Sequence, residues 1–144
     1  MSRVIILQGV SGSGKSTFSR SLGVDTVSAD AHFMVDGEYR FDPSQLSDAH
    51  AGCLMAFLAC LSNGRDVAVD NTNTTAIEVA PYYALALAFG ADVEIVRLEC
   101  DPAVAAKRTT HGVPEAAVHA MHRRLRAFEG APWWTVRTVD GGAP

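Results

Sequence analysis

Read for hydrophobic and polar positions, the chain alternates short apolar runs with stretches of helical period. The run VIIL at 4–7 is continuously apolar and predicts a strand covered on both faces. A helix is expected over 15–22, and a short second strand, DTVSAD, over 25–30, ending in Asp30. The stretch AHFMVDGEYRF (31–41) holds no steady period and reads as a loop with short helical pieces. Asp42 followed by Pro43 makes a cap with proline in the first turn of a long helix to about Ser62. Leu46, Ala49, Cys53, Ala56, Phe57 and Cys60 give that helix its apolar face. DVAVD (66–70) predicts a third strand ending in Asp70, 78–89 a helix stopped at Gly90, and DVEIVRLEC (92–100) a fourth strand. Asp101-Pro102 and Pro114 open helices to about Thr110 and Glu129, and WTVRTVD (134–140) reads as the last strand.

Strands separated by helices predict an α/β fold, a parallel sheet of about five strands with helices on both faces, in one domain over 1–144. Ligands of such sheets bind beyond the carboxyl ends of the strands. The first three strands are expected to end in a glycine-rich loop, in Asp30 and in Asp70, so these should converge.

Composition narrows the class. Of 144 residues, 48% are hydrophobic and 19% charged, which suits a globular chain and not a disordered one. No apolar run approaches the roughly 20 residues of a bilayer span, and the N-terminus carries no signal-peptide pattern, so no membrane partner is expected. Three cysteines without paired spacing favour a reducing cytoplasm, bacterial or of a phage-infected host. The net charge of −4 is uneven: residues 1–100 carry six basic and twelve acidic side chains, and 101–144 six and four. That balance argues against a protein that coats nucleic acid, and allows a local cationic wall beside a phosphate site.

The chemistry centres on GVSGSGKST (9–17), a G-x-x-x-x-G-K-S loop between a strand and a helix. Its candidate nucleotide-binding residues are Gly9, Ser11, Gly12, Ser13, Gly14, Lys15, Ser16 and Thr17. The glycines let backbone N–H groups turn around the β-phosphate, Lys15 reaches the β- and γ-phosphates, and Ser16 ligates Mg²⁺. Asp70, at the end of VAVD, is placed to hold the Mg²⁺ shell, and Asn71, Thr72 and Asn73 follow at the mouth of the site. Asp30, fifteen residues after Lys15, is positioned to accept the proton of an attacking hydroxyl, which separates a kinase from a simple ATPase. Arg108, before TTHGVP, would neutralise charge spreading onto the transferred group from a lid-like segment at about 106–116. The turn at 99–102 and the DGG tail (140–142) are candidate adenine contacts by their position at strand ends.

With these residues in place, the chain resembles the polynucleotide-kinase-like P-loop phosphotransferases, which include phage 5′-hydroxyl polynucleotide kinases and related short kinase domains. The resemblance runs through GVSGSGKST, SADAHF, FDPSQLSDAH, VDNTNT, EVAPYYALA and HGVPEAAVHAM, in that order. It implies an adenylate-kinase-like sheet and ATP- and Mg²⁺-dependent phosphorylation of a nucleic-acid hydroxyl, either a polynucleotide 5′ end or a hydroxymethylated base in DNA. It also implies Lys15 and Ser16 on phosphates and metal, Asp30 as general base, Asp70 as the acidic residue of the D-x-x-N element and Arg108 as the lid arginine. Where phage 5′-kinases carry an acceptor-binding arginine three residues after the base, this chain has Phe33, and Arg40 or the arginines from Arg123 to Arg126 stand as substitutes. A kinase of a small metabolite or nucleoside, or an inactive nucleotide-binding regulatory domain, remains an alternative, and oligomeric assembly stays open.

Overall fold

In the computed structural model, residues 2–141 are described, and Gly142 of the DGG stretch lies outside them. The main strands are β1 (Arg3–Gln8), β2 (Asp25–Val27), β5 (Val67–Asp70), β6 (Asp92–Glu99) and β7 (Val136–Asp140). A small hairpin, β3 (Met34–Val35) and β4 (Glu38–Tyr39), stands apart from them. The helices are α1 (Lys15–Ser21), α2 (Leu46–Ser62), α3 (Ala76–Ala88), α4 (Pro102–Arg108) and α5 (Glu115–Arg126). The five long strands form one parallel sheet in the order β2-β5-β1-β6-β7, which puts β1 at its centre.

The unbroken apolar run of β1 follows from burial on both faces. Val4 and Ile6 join a core with Phe57 of α2 and Val79 and Tyr82 of α3. Ile5 and Leu7 point the other way, into a cluster closed by Phe18 of α1. A third, smaller cluster sets Val10 against Ala105 of α4 and Val118 of α5, beneath the loop that leaves β1.

Three expectations are corrected. β2 stops at Val27, and Asp30 lies in a 3-10 turn (Ala29–Phe33) instead of at a strand end. The cause is local: Ser28 is extended and its Oγ accepts from Asp30 N at 3.1 Å, which turns the chain before the strand can continue. Residues 31–41 are more ordered than a loop, because Asp36 (φ 52°) and Gly37 (φ 78°) supply the two left-handed residues of a tight hairpin turn. The long helix also opens with a 3-10 turn, Pro43–Gln45, in which Asp42 accepts from Ser44 N at 3.0 Å before α2 begins.

Phe57 is fully buried and meets Tyr82 edge to face at 5.0 Å between ring centroids. Phe57→Ala is expected to cost about 3–5 kcal/mol. Urea unfolding of the two proteins checks this, and a loss below about 1 kcal/mol would mean that the α2–α3 layer is not the principal core.

Candidate active site

The site is built where β1 leaves the sheet. β1 and β5 run in register, with Leu7 opposite Asp70, and the pairing continues past the strands as Gly9 N donates to Thr72 O at 3.0 Å. Gln8 is completely buried yet fully used: its Nε2 donates to Asn73 O at 2.9 Å and its Oε1 accepts from Arg97 Nε at 2.7 Å. Asn73 holds a left-handed backbone (φ 50°) while its Nδ2 donates to Leu7 O at 2.7 Å. Asn71 Oδ1 accepts from Ala29 N at 2.9 Å, which ties the turn bearing Asp30 to the same segment. Backbone position at the loop, at Asp70 and at Asp30 is therefore set by one connected network.

Within the loop, Gly12 has φ +81°, and a Cβ there would stand 2.0 Å from Ala105 O of α4. Only glycine fits between the loop and the helix packed against it. Ser11 Oγ lies 3.1 Å from Thr109 Oγ1, and the Ser13 hydroxyl is buried without a hydrogen-bond partner among the described residues. Lys15 is buried and its Nζ donates to Val10 O at 2.9 Å. Burial pushes its pKa down, while the Asp70 and Asp30 carboxylates pull it back up. Ser16 Oγ donates to Asp70 Oδ2 at 2.7 Å, so a hydroxyl and a carboxylate already share one point in space.

Two cavities meet here. The larger, about 920 Å³, is lined by the loop, including Ser11, Gly12, Gly14 and Thr17, and by Lys15, Ser16, Asp70 and Arg108. Arg108 stands in the last turn of α4 and its Nη1 donates to Gly141 O at 2.7 Å. The oxygen pair of Ser16 and Asp70 suits a hard cation such as Mg²⁺, and the turned loop beside a buried lysine suits a phosphate chain. The smaller cavity, about 480 Å³, has aromatic walls from Phe33, Tyr39, Phe41 and Tyr82. Ser11, Asp30, Asn71, Thr72 and His111 line both.

Asp30 thus sits at the junction. Tyr39 donates to its Oδ1 at 3.2 Å, and His111 Nδ1 lies 3.4 Å from its Oδ2. The Tyr39 and His111 rings stack, with centroids 3.9 Å apart and planes within 12°. The Tyr39 phenol is pushed up to about 12, first by burial and then by the Asp30 charge to which it donates. Tyr39 therefore stays a donor at ordinary pH, and Asp30 accepts its hydrogen bond.

The remaining candidates fall outside this meeting point. Phe33 is buried, with its ring on the wall of the smaller cavity. Arg40 pairs with Glu38 at 3.1 Å, Arg123 is exposed on α5, and neither lines either of these two cavities. Asn73 lines the smaller cavity with Asn71 and Thr72. Sequence reasoning missed Gln8, Tyr39, Phe41 and Tyr82. For Tyr39 a signal existed, since the Asp36-Gly37 turn sets it opposite Met34 and back toward Asp30.

A parallel sheet with a lysine-ending glycine loop after its central strand and a carboxylate ending the neighbouring strand defines a P-loop kinase-like domain. Residues 4–128 match the family described as an AAA domain, and the chain belongs to that family. It is 31% identical to NEDD4-binding protein 2 of Homo sapiens over 90% of its length, while spanning only 8% of that protein. A chain of the Pnkp1/Rnl/Hen1 RNA repair complex superposes with a TM-score of 0.68 at 22% identity, over 88% of this chain and 44% of that one. A sugar kinase from Janibacter sp. HTCC2649 superposes with a TM-score of 0.69 at 18% identity, over 100% and 88%. These two structures share the fold. Among the described residues, no helix is long and apolar enough to cross a membrane.

Asn73 tests how the site is held. Asn73→Ala removes the donor to Leu7 O and keeps the left-handed backbone, for an expected loss of about 2–4 kcal/mol. Asn73→Gly removes the same donor without the backbone penalty and should recover about 1 kcal/mol of it. Equal stabilities of the two variants in urea unfolding would show that the backbone there carries no strain.

Proposed function

We propose that this chain is a Mg²⁺- and ATP-dependent phosphotransferase acting on an alcohol group, with a nucleic-acid hydroxyl as acceptor. The observation that carries the proposal is the placement of Asp30, which alone among the candidate catalytic carboxylates lines both cavities. A carboxylate on the border between a phosphate-binding space and an organic pocket is where a hydroxyl must lose its proton during transfer.

Bound Mg²⁺ would neutralise charge on the nucleotide phosphates, and Ser16 and Asp70 are the residues that would hold it. The backbone of Gly9 to Thr17 cradles the phosphate chain, and the Lys15 ammonium faces the β- and γ-phosphates. Asp30 takes the acceptor's proton as the acceptor oxygen forms a bond to the γ-phosphorus and the bond from that phosphorus to the β–γ bridging oxygen breaks, releasing ADP. The stacked Tyr39–His111 pair fixes both Asp30 oxygens toward the junction. Segment 106–116 serves as the lid: Arg108 faces the phosphates, and His111 reaches Asp30 from the same connection. The proposed kinase domain is taken as 1–144. Three free cysteines are in keeping with a reducing cytoplasm.

The motif order supports a nucleic-acid acceptor, in the polynucleotide-kinase manner of a 5′ end or a hydroxymethylated base. A nucleoside or metabolite is the second reading, favoured by one observation: no lysine or arginine lines the smaller cavity among the described residues.

Incubation with γ-labelled ATP and an acceptor panel of 5′-hydroxyl DNA, 5′-hydroxyl RNA, hydroxymethyluracil DNA and small alcohols tests the proposal. Label on metabolites alone would remove the nucleic-acid acceptor. Asp30→Ala should lower turnover by roughly 10²–10⁴-fold with ATP affinity nearly unchanged, whereas Lys15→Ala should damage both. Near-normal turnover in Asp30→Ala would overturn the assignment of the base.

A further inference from the structure

Asp30 is met by two rings, and only one of them can take a proton. Tyr39 donates its O–H to Asp30 Oδ1 at 3.2 Å, and burial together with the Asp30 charge pushes its phenol up to about 12. A phenol that keeps its proton is a donor and a poor base. His111 differs in kind, because an imidazole nitrogen without a hydrogen is a base. Its Nδ1 lies 3.4 Å from Asp30 Oδ2, and it lines both cavities as Asp30 does.

The imidazole is held in that place. It stacks on Tyr39 with centroids 3.9 Å apart, and two residues earlier Thr109 Oγ1 lies 3.1 Å from Ser11 Oγ of the glycine loop. Its side chain is 33% exposed, so the ring that meets the carboxylate also meets water. Besides Asp30 and Tyr39, the ionisable side chains around the larger cavity are Lys15, Arg20, Asp70, Arg108 and Asp140. Those around the smaller are His50, Glu78 and Tyr82.

A carboxylate that takes a proton from an alcohol must become an anion again before the next turnover. Asp30 borders both cavities, so a nucleotide in one and an acceptor in the other would cover it. An imidazole is ordinarily a stronger base than a carboxylate, by about 10²-fold or more in proton affinity. A proton placed on Asp30 therefore runs downhill to an imidazole in contact with it.

We infer that His111 is the proton relay of Asp30, taking from it the proton that the acceptor hydroxyl gives up and passing that proton to water. The inference rests on the phosphotransferase proposal above. With its own hydrogen on Nε2, His111 turns the Nδ1 lone pair toward Asp30 Oδ2. The hydroxyl proton passes to Oδ2 as the acceptor oxygen bonds the γ-phosphorus and the bond to the β–γ bridging oxygen breaks. The carboxyl O–H then gives that proton to Nδ1, which restores the carboxylate. The imidazolium loses its Nε2 proton to water, and exchange with water returns the remaining hydrogen to Nε2. One proton reaches solvent for each phosphate transferred. His111 must enter each turnover neutral, so turnover falls on the acid side as the ring becomes imidazolium.

Turnover is measured between about pH 5 and 8 with γ-labelled ATP and 5′-hydroxyl DNA, 5′-hydroxyl RNA, hydroxymethyluracil DNA and small alcohols. His111→Phe keeps a ring on Tyr39 and removes the nitrogens. It should lower turnover by about 10- to 100-fold, with the KM for ATP little changed. The acid-side fall of the unmodified protein should vanish in His111→Phe and persist in His50→Gln. In His111→Gly, added imidazoles should restore turnover in their neutral form, and more strongly as their basicity rises. Full turnover in His111→Phe means that the ring serves only to stack, and overturns the relay. So does an acid-side fall that is absent or follows His50, a lack of rescue in His111→Gly, or rescue by imidazolium alone. Each of these leaves the phosphotransferase standing. Near-normal turnover in Asp30→Ala removes the base and the relay together, and an unlabelled panel with the unmodified protein removes the phosphotransferase proposal itself.

Discussion

The pairing of β1 with β5 is the constraint on which the site depends. Their register sets Leu7 beside Asp70, and the Gly9–Thr72 hydrogen bond carries that pairing beyond the sheet edge. Gln8 and Asn73 then lock the two exits together through buried hydrogen bonds. A loop of glycines is otherwise costly to order, because each glycine gives up more backbone freedom than any other residue. Here the cost is offset by packing below, where Val10 meets α4 and α5, and by a lysine folded back onto the loop's own carbonyl. The same network reaches Asp30 through Asn71. The loop, Asp70 and Asp30 are thus positioned by one frame, which is what the proposed transfer would need.

The two cavities divide the work by polarity. The larger gathers a lysine, an arginine and a hydroxyl–carboxylate pair, groups that stabilise dense negative charge. The smaller is aromatic and carries carboxylates and two histidines, without a lysine or arginine among its described lining residues. Asp30 belongs to both, and its two oxygens are engaged by Tyr39 and His111, which come from separate segments. The hairpin that carries Tyr39 and the connection that carries His111 therefore meet at one carboxylate.

Much of the fold was legible because buried parallel strands and capped helices leave clear marks. VIIL, VAVD and the two Asp-Pro caps correspond to β1, β5 and the starts of the segments that run into α2 and α4. The glycine loop, Lys15, Ser16, Asp70 and Arg108 were legible as candidates since their spacing is fixed by local chain geometry, and the structure brings them around one cavity. The surroundings of Asp30 were harder to read. Asp30 is turned by a Ser28 cap that ends β2 early, and Tyr39 reaches it through a hairpin of only two residues per strand. Tyr82 and Phe41 join the pocket from helix and loop positions far apart in sequence, a juxtaposition that only tertiary packing creates. Phe33 shows a related limit: its place relative to Asp30 suggested a substrate contact, and its burial against the His32, Tyr39 and Phe41 rings was not legible from spacing.

The most direct test of this account is a crystal structure with a bisubstrate analogue, in which a nucleobase alcohol is joined through a phosphate chain to adenosine. The account predicts phosphates along the loop at Lys15, the aromatic half in the cavity of Phe41 and Tyr39, and the phosphate–alcohol junction beside Asp30. An analogue whose aromatic half lies elsewhere, with Asp30 remote from the junction, would contradict it.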